Sequence, residues 1–125
     1  MLTVAQLRQS ADKACSAARI RQDAVTAPAD FGTNSKAAAT YLRQLMAAGQ
    51  QEVVALHLNP PLNLRAAYGS FFADVLREEL LIVLAANEAA SGRHGYVQQY
   101  QAARHYQQGT VVPAARQLGL TSCAS

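Results

Sequence analysis

Between the paired prolines Pro60-Pro61 and Gly92, the chain runs from Asn63 to Ser91 without a proline and with apolar side chains over more than half of a helical circumference. Leu64, Tyr68, Phe71, Val75 and Ile82 make one stripe, and Phe72, Leu76, Leu80, Val83 and Leu84 make a second beside it. A helix apolar on so many sides needs neighbours around it, so this stretch predicts a central helix, capped by Asn63, within an all-α domain. Gly69 lies inside that helix, where glycine costs about 1 kcal/mol relative to alanine, and this predicts close approach of another backbone. A sheet is a poor competitor. Val54, Leu56 and Leu58 alternate as a strand would, but the short Thr110-Val111-Val112 is the only other candidate strand, and an unpaired strand leaves its backbone groups unsatisfied. Residues 50–58 are therefore expected to be helical, ending at Asn59-Pro60-Pro61.

The remaining elements follow from punctuation. Thr3-Val4-Ala5-Gln6 has the form of a capping box, with Leu2 and Leu7 at the staple positions. Val4, Leu7, Ala11, Ala14 and Ala18 then recur at three- and four-residue steps, a narrow seam suited to close helix–helix contact within the chain or between chains. Residues 26–35 collect Pro28, Gly32 and several capping residues into a loop anchored by Phe31. Asn34 or Ser35 caps a second helix expected to end at Gly49. After Gly92-Arg-His-Gly95, the residues Tyr96, Tyr100, Ala103 and Tyr106 define a helix ending at Gly109. A last short helix, capped by Thr110 and with Pro113 in its first turn, stops before Gly119. The expected fold is a single domain, residues 1–125, of four to five helices around one long central helix.

Composition narrows what such a bundle can do. Eleven basic against eight acidic side chains leave a net charge of +3, and 26 alanines with only eight aromatics imply a thin, closely packed core. The charges are uneven: residues 89–125 carry Arg93, Arg104 and Arg116 and no acid, whereas Asp74, Glu78, Glu79 and Glu88 make the centre acidic. The longest apolar run, Leu80 to Ala86, is far too short for a membrane-spanning helix, so no membrane is expected as a partner. Residues 1–8 lack the apolar segment of a secretory signal. The amphipathic, arginine-containing first 25 residues share features with a mitochondrial presequence, against which Asp12 and Asp23 argue.

Catalytic and metal signatures are missing. Cys15 and Cys123 have no cysteine or histidine at redox or zinc spacing; they are read as small apolar fillers or unpaired thiols in a reducing compartment. None of the serines sits in a nucleophile elbow, no Glu-x-x-His occurs, and the glycines are too scattered to cradle a phosphate. Glu78 and Glu79, adjacent in sequence, point about 100° apart on a helix and are read as its polar edge. No cofactor, metal or catalytic residue is predicted.

The basic C-terminal third offers the one candidate binding cluster. Arg93, Tyr96, Tyr100, Arg104, His105 and Arg116 interleave cations with aromatic faces, as a nucleic-acid interface requires; tyrosines packed into the core are the competing explanation. The run Thr110-Val-Val-Pro-Ala-Ala-Arg-Gln-Leu-Gly-Leu-Thr121 resembles the second helix and turn of bacterial helix-turn-helix domains. That resemblance implies a following recognition helix, for which only Ser122 to Ser125 remain.

These features favour a non-enzymatic structural or adaptor subunit, inside the cell or in a viral particle. It would act through helix-mediated contacts with copies of itself or other proteins, in a filament, a phage or viral particle or a larger complex. A nucleic-acid-binding helical module is the alternative. A deep, polar-lined cavity with converging titratable groups inside one isolated copy would overturn this contact reading.

Overall fold

The computed structural model describes all residues, Met1–Ser125, and is all-helical, without strands. Four main helices are α1 (Val4–Asp23), α2 (Ser35–Leu56), α3 (Arg65–Ala90) and α4 (Gly95–Tyr106). A 3₁₀ turn (Leu62–Leu64) leads into α3, giving a long central helix of 29 residues in all. α4 continues through a π-helical segment (Gln107–Val111) into the short α5 (Val112–Gln117). α3 packs against α2 on one side and α4 on the other, and α1 lies against α2.

Local chemistry accounts for most of the boundaries. The capping box at the start of α1 forms in both directions, Gln6 N–H donating to Thr3 Oγ1 at 3.1 Å and Thr3 N–H to Gln6 Oε1 at 3.0 Å. Asn34 caps α2 by accepting from the Ala37 amide at 3.0 Å. Gly92 and Gly119, at φ of +72° and +73°, terminate α3 and α5. In each case the amide just after the glycine reaches back five residues, Arg93 to Glu88 and Leu120 to Ala115, satisfying carbonyls that the helix leaves open.

Five expectations are corrected. Gly49 does not end α2; it is buried in mid-helix, and α2 runs on to Leu56, because Gly49 lies against α3 instead of in a turn. Asn63 makes no cap: it falls within the 3₁₀ turn, and α3 begins at Arg65, with Leu64 in the cap position and no side-chain cap. Gly109 does not stop α4, and Thr110 caps nothing, since both lie in the π segment. The wider π turn comes just before Pro113, which has no N–H to donate and whose ring would crowd the carbonyl four residues back in a regular α-helix. Gly69 meets no backbone either, as nothing lies within 4 Å of where its Cβ would be.

The largest correction concerns the cysteines. Cys15 and Cys123 form a disulfide, with Cα atoms 5.1 Å apart, joining α1 to the C-terminal tail. Spacing in sequence could not reveal the pair, because the return of the tail to α1 is a tertiary event. Polar contacts support the same closure. Arg8 Nε donates to the Leu118 carbonyl at 2.9 Å, Asp12 Oδ1 accepts from the Ser122 amide at 3.1 Å, and Arg19 donates to the Ser125 carbonyl at 2.7 Å. The segment that resembles a helix-turn-helix fragment is thus clamped onto α1. Disulfides of this kind belong to oxidising environments, so a reducing compartment no longer follows from the cysteines.

Two apolar clusters form the core. One joins Leu7, Ala11 and Ala14 of α1 with Leu56, Tyr68, Phe71, Val75, Val111 and Leu118 around the disulfide. The other joins Ala38, Ala39 and Leu42 of α2 with Ala85, Ala86, Ala89 and Tyr96. The polar stretch between them is where the fold departs from an ordinary bundle.

Candidate functional site

A cavity of about 190 Å³ lies between α2, α3 and α4, with the end of α1 at its rim. Glu52 enters from α2, Glu78 and Glu79 from α3, Tyr100 and Arg104 from α4, and Tyr41 from α2. Both key carboxylates occupy core spacing. Glu78 stands three residues after buried Val75 and four before buried Ile82; Glu52 stands three after buried Gly49 and four before buried Leu56. Glu78 and Glu79 are therefore not the polar edge of α3, since both line the interior cavity.

Gly49 makes room for this arrangement. A Cβ at that position would lie 1.8 Å from Glu79 Oε2, so the carboxyl group rests directly on the backbone of α2. Its other oxygen, Oε1, is buried without a hydrogen-bond partner. Burial pushes the Glu79 carboxyl up to about 7, with the Glu52 charge adding to the effect. Glu52 is likewise raised by burial to about 7, against the opposing pull of Arg19 and Arg21. Glu78 goes furthest, to about 8, through burial first and then repulsion from Glu52 and Glu79, with Arg104 opposing. Three carboxyl groups crowded into one cavity thus hold protons near neutral pH. Tyr41 closes one side, its hydroxyl pushed up to about 12 by burial and by Tyr100.

The opposite side of α3 is the reverse. Leu76, Leu80 and Leu84, one turn apart, are 43%, 55% and 40% exposed. They belong to the second of the two stripes read from the sequence, whereas Tyr68, Phe71, Val75 and Ile82 of the first stripe are buried. Phe72 is half-buried and stacks on His57 with ring centroids 5.4 Å apart. Continuing along the exposed line, Ala66, Gly69, Ala73 and Asn87 also face solvent.

The proposed nucleic-acid cluster is not brought together as a stacking face. Tyr96 is fully buried, its hydroxyl donating to the Phe31 carbonyl. Tyr100 joins Phe31 and Tyr41 in an aromatic group, with centroids 5.1 and 6.3 Å away respectively. Tyr96 cannot present its ring to a base, because α4 has little other than its tyrosines with which to fill that end of the core. Arg93 pairs with Glu88 at 3.2 Å. Arg104, His105 and Arg116 remain exposed. Nor is the α1 seam an intermolecular face: Leu7, Ala11, Ala14 and Ala18 are buried inside the chain and Val4 is half-buried. Their small side chains serve close packing within one copy.

The cavity holds no histidine, cysteine or serine, and no group of three or more potential ligands is placed to hold a metal ion. No helix is long and apolar enough to cross a membrane. No protein-family model matches the chain, and neither curated proteins nor solved structures provide a match.

Proposed function

We propose that this chain is a non-enzymatic structural or adaptor subunit that works by docking the outer side of α3 against another protein surface. The supporting observation is the line Leu76–Leu80–Leu84, left in water on the longest helix while smaller residues fill the core. Single exposed apolar residues are common; a row at one-turn spacing on a central helix calls for a cover. The disulfide fits work in an oxidising compartment or particle, beyond the reach of cytosolic reductants. Polyanion binding through Arg104, His105 and Arg116 is the alternative, resting on charge alone; a loss of binding between low and physiological salt would support it.

The test is the state of the protein isolated from its native source, by native mass spectrometry. A complex that dissociates when Leu80 is changed to glutamate supports the docking role. A monomer without any co-purifying partner, at high concentration, would remove it.

A second reading rests on the carboxylate cavity. Its acidic and aromatic lining suits a small organic cation, and raised carboxyl groups are what general acid catalysis uses. Converging titratable groups in a polar cavity are the finding expected to overturn a contact role, and here three carboxyl groups do converge. The docking role is retained because the volume, about 190 Å³, is below the about 300 Å³ at which small-molecule sites usually begin. Calorimetric titration with a primary amine at pH 8 separates the two: heat abolished by Glu78→Gln supports a ligand site, and the absence of heat removes it.

A further inference from the structure

The disulfide and the carboxylate cavity meet. A smaller cavity of about 40 Å³ shares Gln22, Glu52, Glu78 and Gln107 with the larger one, and its lining continues through Arg19, the Cys15–Cys123 bond, Ser122 and Ser125. Residues after Gly119 thus stand between Glu52 and Glu78 and the solvent, whereas Glu79 lines only the larger cavity. We infer that residues 120–125 are a strap over the inner carboxylates, locked shut by the disulfide and free to lift once a dithiol reductant has opened that bond. This does not rest on the docking role, which concerns the other side of α3.

The anchors of the strap are unequal. Gly119, at φ of +73°, gives it a hinge, and beyond the hinge only Leu120 and Cys123 are buried. The other holds are polar. Asp12 accepts from the Ser122 amide at 3.1 Å and from the Thr121 hydroxyl at 3.3 Å, and Arg19 donates to the Ser122 and Ser125 carbonyls at 3.3 and 2.7 Å. Polar contacts at a surface are individually weak, so the covalent bond is what keeps Cys123 from leaving α1. Its opening is a thiol–disulfide exchange. One thiolate of the dithiol attacks a sulfur of the bond and forms a mixed disulfide; the second thiol then closes the reductant's own disulfide. Cys15 and Cys123 are left as two thiols, having gained two electrons and two protons. The bond lies close to the surface, since each cysteine keeps 7% exposure and Thr121 and Ser125 are exposed.

The strap controls the access of water to Glu52 and Glu78. Around them stand Arg19 and Arg21 from α1, Glu79 on α3, and Arg104 and Tyr106 on α4, with Asp23, Tyr41 and Tyr100 also lining the larger cavity. Under the closed strap burial holds the two carboxyl groups up at about 7 and about 8. Lifting the strap hydrates them and lets them ionise in the ordinary carboxylate range. The closed state therefore binds more protons than the open one, and rising pH favours opening once the bond is reduced. The same linkage amplifies small openings. If about 3% of the reduced chain is open while its carboxyl groups are protonated, the apparent midpoint of Glu78 falls by more than about one pH unit.

Two measurements on the full chain, with the disulfide intact and after reduction by dithiothreitol, test this. Hydrogen exchange is read at the amides of Leu120, Ser122 and Ala124, which donate to Ala115, Asp12 and Leu120. On reduction these should gain at least about 10-fold in rate over amides in the middle of α3. Carboxyl NMR titration should show the midpoints of Glu52 and Glu78 falling by about one pH unit or more, while that of Glu79 does not fall. A chain carrying both Cys15→Ser and Cys123→Ser should give the same two results without reductant. Strap amides that gain only in step with α3, midpoints that stay where the intact disulfide holds them, an equal fall at all three glutamates, or a reduced chain that unfolds as a whole would each overturn the inference, the last because the bond would then be a staple for the entire bundle.

Discussion

The two sides of α3 have exchanged the roles expected of them. Its inner side carries Glu78 and Glu79 into the middle of the bundle, whereas its outer side leaves Leu76, Leu80 and Leu84 in water. A helix selected for stability alone would do the opposite, because burying a carboxyl group costs more than its neighbours return unless it is paired, and exposed leucines forgo their transfer energy. The middle of α3 is thus polar towards the cavity and apolar towards solvent. The ends of the same helix behave conventionally, with Tyr68 and Phe71 buried at one end and Ala85, Ala86 and Ala89 at the other.

The largest effect expected from the inner side is on stability against pH. Glu52, Glu78 and Glu79 titrate near 7 to 8 in the folded chain but at the ordinary 4.5 when unfolded. The folded state therefore binds more protons over that range. Stability should be fully present below about pH 4.5 on account of these groups and fall as pH rises through 7 to 8. Between pH 5 and pH 8.5 Glu78 alone should account for a loss of about 4 kcal/mol, to which Glu52 and Glu79 add smaller shares. Urea unfolding at the two pH values measures it, and Glu78→Gln should remove the largest single share of the difference. A melting curve that does not change from pH 5 to pH 8.5 would show that these carboxyl groups are not buried together.

Gly49→Ala attacks the same side more gently. The new methyl group displaces the Glu79 carboxyl, the far end of a flexible side chain, towards solvent. About 1–2 kcal/mol of the pH dependence should disappear, while the gain in helix propensity offsets the packing change. Unfolding at both pH values reads this as a shallower slope.

On the outer side Gly69→Ala should stabilise the monomer by about 1 kcal/mol, since nothing stands within 4 Å and alanine is the better helix former. The two glycines thus differ: Gly49 gives room to the Glu79 carboxyl inside the fold, whereas Gly69 stands against nothing within 4 Å. The smallest effect belongs to Leu80→Gln, which should change monomer stability, measured at low concentration, by less than about 0.5 kcal/mol because the side chain is already in water. A larger loss would mean that Leu80 packs within the chain and that the outer side is not free.

Much of the fold was legible because its signals are local. The capping box at Thr3, the cap at Asn34, the stop at Asn59-Pro60-Pro61 and the turns at Gly92 and Gly119 each depend on a few neighbouring residues. Both stripes of α3 were readable as well, but periodicity reports that a face is apolar, not which face a neighbour will cover. Glu52 and Glu78 left a signal that hydropathy passed over, an acid standing at core spacing on each of two helices. Gly49 and Gly109 were misread as stops, since a glycine that admits a neighbour and one that ends a helix look alike in sequence.

Local hydrogen bonding, proline geometry and side-chain size, all written in consecutive residues, determined that this chain makes a long central helix with shorter ones around it. Which residues meet across the bundle was decided only by tertiary packing. It brought Cys123 back to Cys15, turned Tyr96 inwards, gathered three glutamates from two helices and left one leucine row uncovered. The reason is that burial and charge–charge repulsion depend on distance in space, and distance in space between residues far apart in sequence exists only once the helices have docked.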